Sequence, residues 1–341
     1  YIETTPGQGT HIHIDYNDNG EKDLDEFELA VQADQVASAN YLKVFVPTND
    51  YIKVFRNQFS QSLFLRPAAI WRGEDGLRKA ISFFSNQFSF VSDRKTLALP
   101  LLDQFNPFLL NLDDTLLQST NANFRNIFYF NQSHPVFGAD VTYQRLESRN
   151  LLTSGFEARE NEKTSVGFRW NFTSILSLEG RGEQGVKSSS SDASILNSRN
   201  YSINYIQAEP KLVIQPGVLW RLSLVFNYKE QTNTMMVEGA ATGGERSFAR
   251  RSGMEFTLSS PEKGSLFLTG GIIQINYAGE AGSPVGFEML EGLQPGLNAT
   301  WGVSYQRTLA NNLQINLTYN GRQSPGLNMI HTGGVEARAF F

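Results

Sequence analysis

The sequence predicts an all-β fold, a transmembrane outer-membrane β-barrel of about 14 antiparallel strands, within a range of roughly 12–16. Three observations predict it. Apolar and polar residues alternate over stretches of about 10–15 residues, longer than the strands of most soluble sheets and long enough to cross a bilayer at a tilt. Tight turns alternate with long polar loops, as in such barrels. Aromatic residues make up 12% of the chain although the mean hydropathy is only -0.31, as expected where one face of each strand is apolar.

The main alternative is a large soluble β-sandwich or propeller. Such folds show a turn signal about every 8–12 residues and no regular alternation of short and long connections. In this chain the expected tight turns are Gln215–Gly217, Pro261–Gly264 and Leu309–Asn312, and the expected long loops are Lys187–Ser198, Met235–Gly244 and Ala278–Pro295. Their alternation favours the membrane barrel.

Strands are expected along almost the whole chain. They are Thr10–Ile14, Tyr41–Val46, Phe55–Leu65, Ile81–Val91, Phe124–Phe130, Val136–Leu146, Val166–Phe172, Ile175–Val186, Tyr201–Ile214, Trp220–Lys229, Phe248–Leu258, Ser265–Tyr277, Leu297–Gln306, Leu313–Asn320 and a last strand ending at Phe341. About 13 can be counted from Tyr51 onwards, and bacterial single-chain barrels almost always have an even number. One more strand is therefore expected, from Tyr41–Val46 or from a stretch that was split or missed.

A short acidic loop precedes the first long strand. Residues 15–26 read DYNDNGEKDLDE, with oxygen-bearing side chains at the first, third, fifth, ninth and twelfth positions and glycine at the sixth. This is the spacing of an EF-hand-type calcium loop, in which the glycine permits a sharp turn and the last carboxylate closes the site with two oxygens. The predicted Ca²⁺ ligands are the side chains of Asp15, Asn17, Asn19, Asp23 and Glu26 and the backbone carbonyl of Glu21.

The surroundings of this loop predict a structural site rather than a sensor. A strand leads into the loop and a helix is expected over Phe27–Ala39, so the unit is strand–loop–helix. Lys22 occupies the eighth position, where an aliphatic residue would pair with a second loop, so we expect a single site suited to millimolar calcium outside the cytoplasm. The loop is expected to clamp a segment at 1–50, the end of a longer N-terminal region, against a barrel at 51–341.

Composition excludes several other classes of protein. The net charge of -5 leaves no basic footprint for nucleic acid. The absence of cysteine excludes disulfides, thiolate metal sites and cysteine catalysis. No Gly-x-Ser-x-Gly, P-loop or dinucleotide motif is present, and no run approaches the ~18–20 apolar residues of a membrane helix. We therefore expect no enzyme and no cofactor except structural Ca²⁺. The chain starts at Tyr1 with no export segment, so a mature or truncated piece is expected.

Two smaller groups of side chains have ordinary interpretations. His11 and His13 share one face of a strand and could bind a transition metal, but the sequence supplies no evident third ligand. Arg246, Arg250 and Arg251 cluster near a junction between a loop and a strand, where they could contact lipopolysaccharide phosphates or a partner protein. In both cases a solvated surface is the simpler expectation.

Several stretches carry a family resemblance: Ile14–Gly20, Asp25–Glu28, Val44–Ile52, Tyr319–Arg322, Ile330–Val335 and Arg338–Phe341. Together they resemble a family of large Bacteroidota outer-membrane proteins, over about the first 50 and last 45 residues. The resemblance implies a C-terminal barrel that follows a long N-terminal region. It also implies an accessory subunit of an envelope machine, such as a barrel-assembly or secretion complex. The terminal Phe341 resembles the end of a bacterial outer-membrane recognition strand.

Three functions remain open from the sequence. The first is a non-catalytic barrel that anchors a larger protein and docks partners, which the apolar stretch Phe105–Leu110 favours. The second is a diffusion or substrate channel, and the third is a hydrolase with catalytic groups at the rim, for which no residue can be nominated. The expected location is the bacterial outer membrane. The expected partners are outer-membrane lipid, lipopolysaccharide and other envelope proteins.

Overall fold

The first 44 residues form a small sheet of their own, which we call the N-terminal unit. A computed structural model describes residues 1–44, 52–97, 99–109, 116–152, 155–235, 243–260, 264–310 and 313–339. The N-terminal unit contains β1 (Ile2–Glu3), β2 (His11–His13), a 3-10 turn (Leu24–Glu26), β3 (Phe27–Leu29), α1 (Ala33–Ser38) and β4 (Tyr41–Leu42). Its strand order is β1-β4-β2-β3. Phe27 stacks on Tyr1 at 4.1 Å between ring centroids and meets Tyr41 edge-on at 5.0 Å, so the core of the unit is aromatic.

The helix predicted over Phe27–Ala39 is wrong in its first part. Phe27 to Leu29 form β3, which pairs antiparallel with His11–His13 of β2, and helix α1 begins only at Ala33. Helix propensity is a weak preference that tertiary contacts override. Here Phe27 and Glu28 are buried, and strand pairing satisfies the backbone groups of this buried segment. The predicted strand Tyr41–Val46 is β4 over Tyr41–Leu42, and residues 45–50 lie outside the described residues.

The rest of the chain forms one large antiparallel sheet. Its strands are β5 (Phe55–Leu65), β6 (Phe84–Thr96), β7 (Leu117–Phe130), β8 (Phe137–Leu152), β9 (Gly155–Asn171), β10 (Leu176–Ser191), β11 (Tyr201–Ile214), β12 (Trp220–Asn233), β13 (Arg246–Ser260), β14 (Gly264–Ala278), β15 (Gly296–Ala310), β16 (Leu313–Gln323) and β17 (Ile330–Ala339). Each strand pairs with its neighbours in the chain, in the order β17 to β5. The helices between them are α2 (Ala68–Trp71), α3 (Leu77–Ser82), α4 (Leu101–Phe105), a 3-10 helix (Ser194–Arg199) and α5 (Pro284–Leu290).

This up-and-down order confirms the predicted all-β barrel class. The described residues supply 13 strands to the sheet, inside the predicted range and one below its centre of about 14. Within those residues β5 and β17 are the two edges and share no paired register. Phe55–Leu65 and Tyr201–Ile214 have the predicted bounds, whereas most other strands are longer than predicted. Strand β10, for example, continues through the polar residues Lys187 to Ser191 because backbone pairing with β9 and β11 does not need apolar side chains.

Several predicted boundaries are wrong. Ile81 belongs to α3 rather than to a strand, and β6 begins at Phe84. No strand was predicted between Val91 and Phe124, yet this stretch contains the end of β6, helix α4 and the first residues of β7. The long loop predicted at Ala278–Pro295 contains α5. Three predicted turns or loops lie partly outside the described residues. The residues not described are 261–263 of Pro261–Gly264, 311–312 of Leu309–Asn312 and 236–242 of Met235–Gly244.

Helix α5 shows that the sheet is strongly curled. Lys187 of β10 bonds to Glu288, Gln231 of β12 bonds to the carbonyl of Met289, and Ile273 of β14 packs in one cluster with Leu290. In a flat sheet β10 and β14 would lie about 19 Å apart. A seven-residue helix is only about 10 Å long. The strands therefore wrap around α5, and its side of the sheet is the interior.

The two faces of the curled sheet differ in chemistry. On β9 the exposed side chains Val166, Phe168 and Trp170 alternate with residues that face the interior. Lys163, on the interior face, pairs with Glu183 of β10 at 3.0 Å. Other interior charges also pair across strands: Arg56 with Asp93, Lys211 with Glu255, and Arg221 with Glu179. Towards the short-turn end of β9 the outer face is thus apolar and the inner face polar, as the strand alternation predicts, whereas towards the other end the outer face carries the ion pair of Arg145 with Glu160.

The ends of the sheet also differ, and we call them the short-turn end and the long-loop end. Residues 131–136 and 215–219 make tight reversals at the short-turn end, where Asn131 has a positive φ of 53°. The long-loop end carries α4, the 3-10 helix Ser194–Arg199 and α5. In the part of the chain that the structure describes, no helix is long and apolar enough to cross a membrane.

Candidate functional site

The predicted calcium loop folds on itself through its own side chains. The amide of Gly20 donates to Asp15 Oδ2 at 2.9 Å, the amide of Asn19 to Asn17 Oδ1 at 2.9 Å, and the amide of Glu21 to Asn19 Oδ1 at 2.6 Å. Asp and Asn favour such turns because their short side chains reach backbone amides a few residues ahead. Gly20 has a φ of 76°, a conformation that costs glycine little. The sequence-predicted turn at the sixth position therefore forms.

Three of the predicted ligands, Asn17, Asn19 and Asp23, contact one another. The Nδ2 atoms of Asn17 and Asn19 both donate to Asp23 Oδ2, at 3.2 and 3.3 Å. Asp15 Oδ1 is shielded from solvent and has no hydrogen-bond partner among the described residues. A buried carboxylate oxygen without a donor is costly unless a cation or another donor satisfies it. Hard oxygen donors in a turned loop are the ligands that Ca²⁺ takes, so the residue types of this loop match those of a calcium site.

Glu26 is held differently from the other four. Its side chain is only 1% exposed, its Oε1 accepts the amide of Tyr16 at 3.2 Å, and its Oε2 accepts the amide of Asp23 at 3.1 Å. His13 Nε2 lies 3.0 Å from the same Oε2. Protein donors thus surround both carboxylate oxygens. Among the described residues no three His, Asp or Glu side chains form a metal-binding group.

The sequence did not indicate that His13 is the partner of Glu26. It predicted only that His11 and His13 share a strand face. The two residues are brought together because β2 and β3 pair, with His13 opposite Phe27, the residue after Glu26. The strand prediction at Thr10–Ile14 was correct, but the helix expected after the loop hid its partner strand.

Arg199 fastens the N-terminal unit to the long-loop end of the sheet. It donates to the carbonyl of Phe27 at 2.8 Å and to Glu28 Oε2 at 3.0 Å. Tyr16 donates its hydroxyl to the other oxygen of Glu28 at 3.1 Å. Burial raises the pKa of Glu28 although Arg199 pulls it down, and burial together with Glu28 raises the pKa of the Tyr16 hydroxyl. Through Tyr16, the predicted calcium loop therefore contacts a partly buried ion pair between the N-terminal unit and the large sheet.

A second fastening lies at α1. Arg322 of β16 donates to Asp34 Oδ2 at 2.7 Å and to the carbonyl of Gly292 at 3.0 Å. Gln32 donates to the carbonyl of Glu291 at 2.8 Å. On the opposite side of the unit, Lys43 pairs with Glu157 of β9 at 2.8 Å. The unit contacts both β9 and β16, which are seven strands apart in the sheet. It therefore lies across the opening of the curled sheet at the long-loop end, which we call the long-loop mouth.

Helix α5 fills the interior below this mouth. Val285 and Met289 form a buried cluster with Ile203 of β11, and Leu290 and Leu293 form another with Ile273 and Ile275 of β14. The sequence signal for this helix was present. Ser283 caps the helix by accepting the amide of Gly286 at 3.0 Å, Pro284 occupies its first turn, and Glu291 ends it in a left-handed conformation.

Some of the interior remains open. A cavity of about 500 Å³ lies between α5 and strands β6 to β10. Its wall carries charges of both signs, among them Asp93, Arg159, Lys187 and Glu288. Lys187 and Glu288 pair with each other at 3.2 Å. The interior of the curled sheet therefore holds a polar cavity, which we call the polar chamber, and the N-terminal unit covers its long-loop side.

The arginine cluster predicted near β13 is divided between two faces. Arg250 alternates with Arg251 along the strand, so their side chains point to opposite sides of the sheet. Arg250 lies over the ring of Phe248 at 4.7 Å on the outer face, and Arg246 shares that parity. Arg251 faces the interior, where its charge contributes to lowering the pKa of Glu291. Only Arg246 and Arg250 can meet a ligand outside the sheet.

Comparisons with known proteins add little to this geometry. No protein-family model and no curated protein matches the chain. Among solved structures it is similar to the translocator domain of the autotransporter NalP from Neisseria meningitidis. The match has 12% sequence identity and a TM-score of 0.28, and covers 86% of this chain and 90% of that one. A TM-score this low carries no argument about function, which has to come from the site itself.

Proposed function

We propose that the protein is a non-catalytic outer-membrane β-barrel that anchors a larger protein and docks partners in an envelope complex, with outer-membrane protein assembly or secretion as the setting. The observation that carries the proposal is the closed long-loop mouth. The N-terminal unit and α5 occupy the place where a channel would open, and partly buried ion pairs hold the unit there. A barrel built in this way presents a fixed unit at the membrane surface.

The faces of the sheet support a membrane location. Val166, Phe168 and Trp170 are 52%, 38% and 45% exposed, although they follow one another on a single face of β9. Soluble monomers rarely expose apolar patches larger than a few hundred Å². The apolar outer face, charged inner face and strands of 10 to 17 residues are the properties of a lipid-facing barrel. In the usual orientation the long-loop end faces outward, so Arg246 and Arg250 would meet lipopolysaccharide phosphates.

An apolar surface near the long-loop end supports docking. Helix α4 lies on the outer face of β5 and β6, where Asn57 donates to the carbonyl of Gln104 at 2.7 Å. Leu102, Phe105 and Phe108 project from this segment and are mostly exposed. The predicted apolar stretch Phe105–Leu110 is therefore accessible up to residue 109, and Leu110 lies outside the described residues. A lipid-anchored or membrane-bound partner would cover these side chains.

The alternative is an outer-membrane diffusion or substrate channel, which the polar chamber of about 500 Å³ favours. Conductance of the full chain in a planar bilayer distinguishes the two. Anchoring predicts silent insertion of the wild type and co-purification of envelope proteins from native membranes. Sustained single-channel conductance by the wild type would overturn the anchoring role and support the channel.

We also propose that Ca²⁺ binds Asp15, Asn17, Asn19, Asp23, Glu26 and the carbonyl of Glu21, and stiffens the link between the unit and Arg199. The ion would supply positive charge to Asp15 Oδ1, which lacks a protein donor. Asp15→Asn and Asp18→Asn form a matched pair, since Asp18 occupies the fourth position of the loop and is not a ligand. EDTA and Asp15→Asn are expected to speed proteolysis within residues 1–44, while Asp18→Asn leaves it unchanged. Equal cleavage with and without EDTA would refute the calcium clamp.

A further inference from the structure

The short-turn end has one elaborate connection, and it forms a basic pocket. Helices α2 and α3 lie between β5 and β6, beside the turn 131–136 that joins β7 to β8. The amide of Asn131 donates to the carbonyl of Phe83 at 2.8 Å, and Ser85 donates to Gln132 at 3.1 Å, so the two connections are fixed to each other. A cavity of about 270 Å³ lies between them.

The lining of this cavity carries positive charge only. Arg66, Arg72 and Lys79 contribute their side chains, His134 lies on the opposite wall, and no carboxylate is among the described lining residues. Arg66 is positioned over the ring of Phe64 at 4.8 Å. Among the described residues, the salt-bridge partner of Lys79 is the exposed Asp75, at 3.7 Å. Such a group of cations, with serine hydroxyls and a histidine beside them, matches the acceptors of a phosphate group.

Apolar side chains next to the pocket indicate which phosphate compound fits. Ile70 of α2 and Leu77 of α3 are 80% and 83% exposed, and Leu63 and Leu65 of β5 continue the apolar surface onto the sheet. A free phosphate ion would satisfy the cations and leave these side chains in water. Short segments with a basic side and an apolar side lie at the boundary between headgroups and acyl chains.

We propose that Arg66, Arg72 and Lys79 form a binding site for the phosphate of an anionic phospholipid, whose acyl chains cover Ile70 and Leu77. The site rests on the proposed membrane location of the barrel and adds a specific ligand at the rim opposite the N-terminal unit. In the usual orientation this rim meets the inner leaflet, which is where phospholipid is found. The site would set the depth of the barrel in the bilayer at β5 and β6.

The test is lipid binding by the full chain in nanodiscs of phosphatidylcholine doped with phosphatidylglycerol, read by native mass spectrometry of the released protein. The wild type is expected to retain phosphatidylglycerol in preference to phosphatidylcholine. The double variant Arg72→Gln with Lys79→Gln is expected to lose at least about tenfold in this preference, since each charged hydrogen bond contributes about that factor. Arg78→Gln is the matched control, because Arg78 also lies on α3 but pairs with Glu74 and does not line the cavity.

Three results would overturn the site. The double variant could keep the wild-type preference for phosphatidylglycerol, or Arg78→Gln could lose as much of that preference as the double variant. Inorganic phosphate at about 10 mM could also displace the lipid fully, which would indicate a site for free anions. Failure of the proposed membrane role is separable. In that case none of the variants, nor the wild type, would insert into nanodiscs and resist protease there.

Discussion

The long-loop end and the short-turn end of the sheet are built in opposite ways. At the long-loop end the chain adds a separate unit, a buried helix and ion pairs that join residues far apart in sequence, such as Glu28 with Arg199 and Asp34 with Arg322. At the short-turn end most strands reverse within a few residues, and the only elaborate connection in the described residues, α2 and α3, leaves its apolar side chains exposed. One end is covered by protein, whereas the other leaves apolar side chains and a basic pocket exposed.

This contrast shows where stability depends on specific partners. A tight turn needs only local backbone geometry, so single substitutions there have small effects. The N-terminal unit has a small aromatic core and its attachment relies on buried polar contacts. Removing one member of such a buried pair leaves the other charge without compensation. Substitutions at the long-loop end should therefore have the largest effects.

Of the substitutions considered, Arg199→Ala is expected to weaken the attachment of the N-terminal unit most strongly. It leaves Glu28 buried without its cation and removes the donor to the carbonyl of Phe27, at a cost of about 3–5 kcal/mol to docking of the unit. Hydrogen exchange of the β2 and β3 amides measures this loss of docking free energy. Arg199→Lys keeps the charge without the forked geometry and should lose less. Unchanged protection in Arg199→Ala would show that the unit is held by other contacts.

Met289→Ala is expected to have the next largest effect. Met289 is 2% exposed in the cluster with Ile203 and Val285, and its loss should cost about 2–3 kcal/mol in the unfolding free energy of the detergent-solubilised barrel. Met254→Ala is the matched control, since Met254 lies on the outer face and is 53% exposed. It should change stability by less than about 0.5 kcal/mol. Equal losses in both variants would mean that α5 is not a packed core.

The smallest expected effect is a pH dependence of opposite sign at two glutamates. Burial raises the folded-state pKa of Glu28 above its ordinary value, so protonation favours the docked state. Its contribution is complete below the ordinary pKa and is lost as the pH rises through the raised value. Burial also acts to raise the pKa of Glu291, but Lys229 outweighs it and lowers the pKa. That contribution is present above the ordinary pKa and is lost as the pH falls through the lowered value.

Hydrogen exchange checks the sign of the pH dependence at both glutamates. The useful range is roughly pH 4 to pH 7, which includes the ordinary glutamate pKa. Relative to Glu28→Gln, the wild type should gain protection of β3 as the pH falls. Relative to Glu291→Gln, the wild type should lose protection around α5 over the same change. The Glu291 effect should be the smaller, because about half of its side chain is exposed and water screens its pair with Lys229. Parallel slopes in the two comparisons would contradict the assigned shifts.

The turn of the acidic loop at residues 15–26 could be predicted from the sequence, but its surroundings could not. The spacing of Asn17, Asn19 and Asp23 anticipated side chains that contact one another, because contacts within a twelve-residue loop are local. The contact of Glu26 with His13 could not be anticipated, since it depends on a strand pair that helix propensity concealed. The contacts by which Arg199 and Arg322 hold the N-terminal unit could not be predicted from the sequence either, because they join residues more than 170 positions apart.

The sequence by itself determined the all-β class, the alternation of apolar and polar faces, and the order of short and long connections. These properties follow from the two-residue period of a strand and from the residues that permit tight turns, both of which are local. Only the tertiary structure decided that α5 fills the interior and that the N-terminal unit lies across the long-loop end of the sheet. Curvature of the sheet sets both, because it determines which distant strands approach one another.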